Sequence, residues 1–381
     1  MTPMQSEARQ AAMSTARSAT RIVLVNPTKF LGNLLLSGGL IQQLCQWCTR
    51  HDKRLLLVLD EGFKDLVDGV FPGAELVFYP RKALLPGAPV VAGVKAWWRC
   101  VAAIRRFRAD LAFTIEEDSV CHRLTHFSGA RYKVSSTSHR YHFGFDLVLD
   151  IARSGRSAHE ASIWFSIRDV FRALGIPAEG EPAYLVLPSR PPAEALLQRL
   201  DSSGVVSEKP LLLIHAGASK PYKQWPPQQF AELIGIAARR GYQVCLVGAG
   251  GADQRINREV LAALMSAAVG SGQRVDLVTG IACTDLCNQL SLTELASLMS
   301  VSARMLGNDS GPSHLASALG VPGVVIFGPT DVDIWRPLAA NTVVLEKKLL
   351  CGSTCSRHHC PLAYRCLSEI SATEVAGRLA L

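Results

Sequence analysis

The amino-acid sequence predicts an α/β protein built from two Rossmann-like, doubly wound domains. The chain has 381 residues with 48% hydrophobic content, which is enough apolar surface for two cores. Short apolar runs alternate with helix-length segments, the pattern of parallel sheets that carry helices on both faces. This alternation stops once, in a proline-rich stretch near the middle of the chain, and then starts again.

The first domain is predicted over residues 21–176, after a polar, acid-poor leader over residues 1–20 that we expect to be disordered. Its predicted strands are Arg21 to Asn26, Leu55 to Leu59, Leu76 to Tyr79 and Leu111 to Ile115. Its predicted helices include Leu34 to Cys48 and Val91 to Arg108.

The stretch from Gly175 to Pro192 contains five prolines, which disfavours a continuous helix or a central strand there. We therefore place a linker at residues 177–192 and a second domain at residues 193–381. The predicted strands of this domain are Leu211 to Ile214, Gln243 to Val247, Asp276 to Val278, Arg304 to Leu306 and Gly323 to Phe327. The predicted helices are Gln228 to Arg240, Gln254 to Ala267, Thr293 to Ser300 and Pro312 to Leu319.

The net charge of +8 is concentrated in the first half, because the first 190 residues carry 24 Lys and Arg against 17 Asp and Glu. This asymmetry favours an anionic partner, such as nucleic acid, an acidic membrane surface or a phosphorylated glycolipid. A solvated basic surface without a ligand is the other interpretation. In the predicted helix from Val91 to Arg108, Lys95, Arg99 and Arg106 fall within about 40° of each other, beside apolar residues.

No run of about 18 uncharged apolar residues occurs, and the first 20 residues are too polar for a signal peptide. We therefore expect a cytoplasmic protein. The eleven cysteines are an odd number, and several lie in apolar stretches, which is typical of reduced thiols.

The segment Gly307-Asn308-Asp309-Ser310-Gly311-Pro312-Ser313-His314 follows a predicted strand, and Pro312 suits the first turn of a helix. Free backbone N–H groups and the helix dipole favour an anion at such a position. Ser310 and His314 add side-chain donors for phosphate oxygens, so a pyrophosphate fits the segment. An ordinary capped helix remains the alternative.

Four motifs occur in order: H-A-G-A-S from His215, K-Q-W-P from Lys223, G-N-D-S-G-P-S-H from Gly307 and F-G-P-T-D from Phe327. From Leu211 to about Leu367 the chain thereby resembles the second domain of glycosyltransferase family 9, the heptosyltransferases of lipopolysaccharide synthesis. The resemblance implies the GT-B architecture, in which two doubly wound domains face each other across a cleft and bind ligands beyond the carboxyl ends of their strands.

The resemblance also implies an inverting transfer of heptose from ADP-heptose to the lipopolysaccharide inner core, either Kdo-lipid A or a heptosylated core. The ADP sugar is then a co-substrate, and neither a metal nor another cofactor is needed. The protein is expected to act peripherally at the inner face of the cytoplasmic membrane, without nucleic acid. Another sugar nucleotide or a protein acceptor remains an alternative.

Matching residues imply the roles at the donor site. Ala218 and Ser219 lie on the loop that touches the donor phosphates, and Lys223 neutralises the leaving diphosphate. The donor-binding cluster consists of Asp309, Ser310, Gly311 and His314. On the acceptor side, Lys95, Arg99 and Arg106 are predicted to meet phosphates and acidic sugars of the core, or anionic lipid headgroups.

The first domain departs from the family pattern, because Gly32-Asn33 stands where relatives read G-D and use the aspartate as the proposed base. An amide cannot accept the proton, and a general base contributes about 100- to 10,000-fold. Three explanations compete. First, another carboxylate could replace the base; Glu116 is the first of the acidic residues 116–118 and aligns where relatives often carry a glutamine. Second, the acceptor could already be ionised or strongly hydrogen-bonded. Third, the protein could bind its donor without catalysing a reaction. The acidic residues could also be an ordinary solvated helix start.

A glycine run from Val247 to Asp253 departs in a second way, because the family glutamate that contacts the nucleoside falls near Gly250 and only Asp253 is close. The run also imitates a dinucleotide fingerprint, but Asp276 stands at the wrong end of the next predicted strand for that motif. A nicotinamide cofactor is therefore disfavoured.

A cluster of cysteines and histidines near the C-terminus has a density that would suit a metal. It comprises Cys351, Cys355, His358, His359, Cys360 and Cys366. Because this cluster contains no C-x-x-C pair, we predict a structural or incidental role and no metal.

Overall fold

The computed structural model of the protein describes residues 3–136, 144–149, 162–205, 208–270, 283–349, 351, 360 and 362–381. The chain divides into unit 1, Met1–Leu187, and unit 2, Pro188–Leu381. The division falls inside the predicted linker, and residues 174–193 contain neither helix nor strand. Among the described residues, no helix is both long enough and apolar enough to span a membrane.

Unit 1 is built on a parallel six-stranded sheet in the order β3-β2-β1-β4-β5-β6. Its strands are β1 (Arg21–Val25), β2 (Arg54–Asp60), β3 (Ala74–Tyr79), β4 (Leu111–Thr114), β5 (Tyr132–Ser136) and β6 (Leu147–Leu149). Its helices are α1 (Pro3–Ser18), α2 (Leu31–Arg50), α3 (Val90–Arg106), α4 (Ser119–Phe127) and α5 (Ile163–Ala173). Every residue of β4 is buried, as expected for a strand covered on both faces.

Helix α1 occupies most of the segment that we expected to be a disordered leader, so that expectation is wrong. Alanine is the strongest helix former, and Ala12 and Ala16 lie one turn apart on a buried face of the helix, with the buried Ala19 directly after its end. Lys53 Nζ donates to Ala19 O at 2.6 Å, which ties the end of the helix to the sheet. The polar composition of the segment reflects its outward face.

Unit 2 repeats the architecture with a parallel sheet in the order β12-β11-β10-β7-β8-β9. Its strands are β7 (Leu211–His215), β8 (Gln243–Leu246), β9 (Cys283–Asp285), β10 (Arg304–Asn308), β11 (Gly323–Phe327) and β12 (Thr342–Glu346). Its helices are α6 (Glu194–Ser202), α7 (Pro227–Arg239), α8 (Gly250–Gly270), α9 (Leu292–Ser300), α10 (Gly311–Ala318), α11 (Val332–Trp335), α12 (Arg365–Ser368) and α13 (Ala372–Leu379). The predicted strand from Asp276 to Val278 lies outside the described residues.

Both sheets have the strand order 3-2-1-4-5-6 when strands are numbered within their own unit. The prediction of two doubly wound parallel sheets is thus confirmed. In this topology the connections leave in opposite directions from the first and fourth strands, and a crevice opens where the carboxyl ends of these two strands meet. The relevant pairs are β1 with β4 in unit 1 and β7 with β10 in unit 2.

Candidate active site

In unit 2, β10 passes into α10 through two residues, Asp309 and Ser310. Ser310 is the residue before the helix and has an extended backbone, with φ −154° and ψ 163°, but its side chain makes no capping hydrogen bond. The first N–H groups of an α-helix have no partner within the helix, so this end of α10 keeps donors for an anion. Pro312 is the second residue of α10, and Gly311 is the first.

Gly307 permits β10 and the first turn of α10 to approach closely. A Cβ atom at position 307 would lie 2.3 Å from Ser313 Oγ. That hydroxyl donates to the carbonyl oxygen of Asn308 at 2.6 Å, which fastens the start of the helix to the end of the strand. Gly307, the first glycine of the G-N-D-S-G segment, therefore has a packing role.

The buried amide of Asn308 connects β10 to the loop that follows β7. Its Nδ2 donates to the carbonyl oxygens of Ala216 at 2.8 Å and Gly217 at 3.3 Å, and its Oδ1 accepts from the backbone N–H of Trp225 at 3.0 Å. Asn308 thus positions the loop that carries Ala218, Ser219 and Lys223, a role that the sequence analysis did not assign to it. The position of Asn308 inside the G-N-D-S-G motif was the only feature of the sequence that pointed to this role.

Lys223 and Asp309 form an ion pair. Lys223 ends a 3₁₀ turn over Pro221–Lys223, and its Nζ lies 2.6 Å from Asp309 Oδ2. Asp309 is 7% exposed, and Lys223 is partly buried. An ammonium group has three donors, so one can hold the carboxylate while others remain suited to phosphate oxygens. Of the two other predicted loop residues, Ala218 is half-buried and Ser219 is exposed.

His215, the last residue of β7, bridges two segments of unit 2. Its Nδ1 lies 3.0 Å from Ser310 Oγ, and its Nε2 lies 3.2 Å from Asp253 Oδ2. Burial opposes ionisation of Asp253, but the hydrogen bond and charge of His215 and a hydrogen bond from the backbone N–H of Ala249 outweigh it and lower the pKa of Asp253. Asp253 therefore orients the first residue of the H-A-G-A-S motif.

Gly217 and Gly248 lie against the side chain of Asp253, and Gly248 belongs to the glycine run that imitates a dinucleotide fingerprint. A Cβ atom at Gly217 would lie 2.0 Å from Asp253 Oδ1, and one at Gly248 would lie 2.7 Å from Asp253 Cβ. The glycines make room for this carboxylate, which is a packing reason for their presence. Asp253 had been expected only as a substitute for a nucleoside-contacting glutamate.

His314 lies in the buried part of α10 and is 4% exposed. Burial lowers the pKa of its imidazole to about 4, and the charge of Lys223 acts in the same direction while Asp309 opposes it. The imidazole is therefore neutral at pH 7 and has a single N–H to donate. Any contact of His314 with a phosphate is a hydrogen bond and not a charge interaction.

In unit 1, the ends of β1 and β4 bring Asn33 and Glu116 together. Asn33 lies in the first turn of α2, and its Nδ2 donates to Glu116 Oε1 at 3.2 Å. Burial raises the pKa of Glu116 to about 7, while the side chains of Asn33 and Thr28 and the charge of Arg81 act in the opposite direction. Glu116 is thus a carboxyl group that exchanges its proton near neutral pH, as a general base does.

The acidic residues 116–118 have different surroundings. Glu116 contacts Asn33, Glu117 is exposed, and Asp118 caps α4 by accepting from the backbone N–H of Val120 at 2.7 Å. The interpretation as a helix start thus holds for Asp118, whereas Glu116 has a separate environment.

Arg81 was not identified from the sequence, yet it organises the edge of the sheet beside Glu116. Its guanidinium donates to the carboxylate of Asp60, at the end of β2, and to the carbonyl oxygen of Pro27, which follows β1. The loop that leads to Asn33 is thereby anchored to two neighbouring strand ends.

The predicted acceptor-binding residues Lys95, Arg99 and Arg106 are all exposed on α3. The opposite side of the helix carries Cys100 and Ile104 into the core of unit 1. Among the described contacts, none joins the three basic side chains to Glu116, so their role stays a prediction.

The described cysteines are free, and burial raises the pKa of Cys45, Cys48 and Cys245 to about 12. Cys351, Cys360 and Cys366 are partly buried, whereas Cys355, His358 and His359 lie outside the described residues. Within the part of the chain that is described, no three His, Cys, Asp or Glu side chains form a group that could hold a metal. The predicted absence of a metal stays a prediction.

Two doubly wound parallel sheets, with polar clusters where the first and fourth strands of each sheet end, define a GT-B-type α/β protein. The profile of glycosyltransferase family 9 (heptosyltransferase) matches residues 122–364. The chain therefore belongs to glycosyltransferase family 9.

Known relatives agree with this assignment. Lipopolysaccharide heptosyltransferase 2 of Salmonella typhimurium is 32% identical over 159 residues, which span 40% of this chain and 42% of that protein. Lipopolysaccharide heptosyltransferase 3 of Escherichia coli is 24% identical over 252 residues, which span 65% of this chain and 67% of that protein. The solved structure of E. coli ADP-heptose lipopolysaccharide heptosyltransferase II has a TM-score of 0.68 and 19% identity, with 94% of this chain and 97% of that chain covered; this similarity shows the fold.

Proposed function

We propose that the protein is an inverting glycosyltransferase that transfers heptose from ADP-heptose to a hydroxyl group on the lipopolysaccharide inner core. The observation that carries the proposal is the Lys223–Asp309 pair, held at 2.6 Å beside the N-terminus of α10. Membership of family 9 and the names of the similar heptosyltransferases support heptose as the sugar. The acceptor is either Kdo-lipid A or a heptosylated core.

The donor site suits a nucleoside diphosphate as a leaving group. Negative charge grows on the diphosphate as the bond to the anomeric carbon breaks, and donors fixed in advance stabilise such charge best. In unit 2 these donors are the Lys223 ammonium and the backbone N–H group of Gly311. Asp309 holds the ammonium in place, and Ser310 is held in turn by His215. This set needs no metal ion.

Glu116 is our candidate for the base that activates the acceptor. Its carboxylate takes the proton of the acceptor hydroxyl while the oxygen forms a bond to the anomeric carbon and the bond to the diphosphate breaks. A single displacement of this kind inverts the anomeric centre. Asn33 cannot take the proton, so it acts here as the hydrogen-bond donor that orients Glu116.

The alternatives are another sugar nucleotide or acceptor, and a catalytically silent donor-binding protein. The position of Glu116 beside Asn33 at the ends of β1 and β4 favours an enzyme over a silent protein, and a pKa raised by burial to about 7 suits base catalysis. Lys95, Arg99 and Arg106 remain the predicted contacts with anionic groups on the acceptor side. We place the protein in the cytoplasm, peripherally at the inner face of the membrane, where such acceptors are assembled.

ADP release from ADP-heptose, measured with truncated core acceptors, tests the proposal. We expect turnover that depends on the acceptor and falls at least tenfold in Asp309→Asn, because Lys223 loses its charged partner. UDP-glucose and ADP-glucose serve as competing donors. Turnover with one of these donors and none with ADP-heptose would replace the sugar assignment, and donor binding without turnover by any acceptor would establish the silent protein.

A further inference from the structure

Helix α3 and its neighbours carry an unusual number of exposed apolar side chains. We call this set the α3 surface, and its members are Leu85, Val90, Val91, Val94, Trp98 and Phe127. They make up half of the twelve large apolar side chains that are exposed among the described residues. Val90 is 79% exposed, Val91 is 67% exposed and Trp98 is 51% exposed. A contiguous apolar area of this kind on a folded protein marks an interaction surface.

The orientation of α3 is fixed by packing on its other side. Val101 and Ile104 are buried in the core of unit 1. A Cβ atom at Gly93 would lie 2.7 Å from the carbonyl oxygen of Ala83, so the helix is pressed against the 3₁₀ turn over Lys82–Leu84. Rotation of α3 to hide its outward valines would remove these contacts. The apolar side chains are therefore exposed because the fold presents them.

Ring contacts extend the α3 surface to the end of α4. The ring centroids of Trp97 and Phe127 are 5.4 Å apart, and those of Trp98 and Phe127 are 6.3 Å apart, both in edge-to-face geometry. Trp97 is half-buried and joins the core, whereas Trp98 points outward. The aromatic side chains of Trp97, Trp98 and Phe127 thus contact one another at the border of the exposed valines.

Positive charge borders this apolar area. Residues 81–108 contain no aspartate or glutamate, and their basic residues are Arg81, Lys82, Lys95, Arg99, Arg105, Arg106 and Arg108. At 100° per residue, Val91, Val94 and Trp98 share a strip about 60° wide, and Lys95 and Arg99 occupy the adjacent strip. Apolar and basic strips side by side are typical of helices that lie in the plane of a membrane interface.

We propose that the α3 surface docks the protein onto an anionic lipid bilayer. Val91, Val94 and Trp98 enter the boundary between headgroups and acyl chains, while Lys95 and Arg99 contact the lipid phosphates. Charge complementarity favours this partner over a second copy of the chain, because two copies would bring basic strips together. The inference rests on the proposed function for the peripheral location at a membrane, and it adds the surface that binds the lipid. Its test uses neither donor nor acceptor, so its outcome is separate from that of the proposed reaction.

Docking through α3 would bring the edge of the unit 1 sheet that carries Asn33 and Glu116 to the membrane. A helix that connects two parallel strands runs back along the sheet, so the first turns of α3 lie towards the carboxyl ends of the strands. Glu116 and Asn33 lie at that same edge, after β4 and β1. A lipid-linked acceptor in the bilayer would thus be presented near the proposed base.

Flotation of the full-length protein with phospholipid vesicles tests this inference. Vesicles of phosphatidylcholine mixed with phosphatidylglycerol are compared with phosphatidylcholine alone, without donor or acceptor. We expect binding to the anionic vesicles that weakens as salt is added. The double variants Val94→Ser/Trp98→Ser and Lys95→Gln/Arg99→Gln should each lower partitioning about tenfold or more.

Matched variants in unit 2 serve as controls. Leu197→Ser/Val301→Ser removes similarly exposed apolar side chains, and Arg255→Gln/Arg258→Gln removes the same charge; both should bind vesicles as the unchanged protein does. Thermal unfolding checks that each variant folds. Val94→Ser/Trp98→Ser should keep its activity on a water-soluble acceptor, so that lost docking is distinguished from lost catalysis.

The inference is overturned if the unchanged protein does not float with anionic vesicles. It is equally overturned if the Val94→Ser/Trp98→Ser variant floats to the same extent as the unchanged protein. It is also overturned if sedimentation without lipid shows a dimer that this variant abolishes, because the α3 surface would then be an interface between two copies.

Discussion

The two units place the same kind of pair at the same point of the same topology, but with different partners. In unit 1, Asn33, which follows the first strand, lies 3.2 Å from Glu116, which follows the fourth. In unit 2, Lys223 follows the first strand and lies 2.6 Å from Asp309, which follows the fourth. An ammonium group compensates the charge of a carboxylate, whereas an amide only donates a hydrogen bond. Burial raises the pKa of Glu116 to about 7, and its amide partner brings no positive charge that would offset the effect of burial.

This comparison also explains the departure at position 33. The family pattern places a carboxylate there and often an amide at position 116, whereas here the amide is Asn33 and the carboxylate is Glu116. The hydrogen bond between the two side chains shows that the exchanged groups are neighbours. The exchange can thus move the base from one side of the pair to the other without removing it.

The largest effect is expected for Glu116→Gln, which keeps the shape of the pair and removes the base. We predict that kcat falls about 100- to 10,000-fold with little change in donor affinity. The measurement is ADP release under single-turnover conditions, with the exposed neighbour Glu117→Gln as control. A Glu116→Gln enzyme with unchanged kcat would exclude Glu116 as the base.

Asn33→Asp in the Glu116→Gln background sharpens the same test. It restores the family arrangement, with the carboxylate at 33 and the amide at 116. We predict recovery of about tenfold or more relative to Glu116→Gln alone. If the double variant is as slow as Glu116→Gln, the two positions are not interchangeable sites for the base.

Lys223→Ala tests the other member of the comparison. We predict a loss of about 100-fold in kcat, because the leaving diphosphate loses its ammonium. The free energy of unfolding should also fall, since Asp309 remains buried without its partner. Lys220→Ala, an exposed lysine on the same loop, should change neither quantity. Unchanged turnover in Lys223→Ala would remove this lysine from the donor site.

The pH dependence of kcat/KM tests the role of Glu116 as the base. Because burial raises the pKa of Glu116 to about 7 and the base acts in its ionised form, activity should rise about tenfold per unit up to pH 7 and then level off. The residual activity of the Glu116→Gln variant should lack this rise of kcat/KM with pH, the acidic limb of the profile. A limb that persists in the variant would belong to another group.

The smallest effect is a gain in stability of Glu116→Gln. Between pH 4.5, its ordinary pKa, and about pH 7, Glu116 is ionised in the unfolded chain but protonated in the folded protein. Unfolding therefore releases a proton in this range, and the free energy of unfolding falls as the pH rises. At about pH 8, Glu116→Gln should therefore raise the free energy of unfolding by about 1–2 kcal/mol. Urea unfolding measures it, and the gain should vanish below pH 4.5.

Much of the fold could be predicted from local sequence patterns. Apolar runs the length of a strand, such as Leu211 to Ile214, and proline spacing around residues 177–192 depend only on neighbours along the chain. The helix in residues 3–18 was not predicted, because its stability depends on contacts with residues far away along the chain. Its alanine face is informative only once the surface that it covers is known.

The sequence by itself determined the two doubly wound sheets, the family, and which residues belong to the G-N-D-S-G and K-Q-W-P motifs. Only the tertiary structure decided what these residues contact. The pairing of Lys223 with Asp309, the support of His215 by Asp253 and the hydrogen bond from Asn33 to Glu116 join residues 86, 38 and 83 positions apart. Such contacts arise because parallel strands bring their carboxyl ends to one edge of a sheet, and burial at that edge then sets the proton affinity of Glu116.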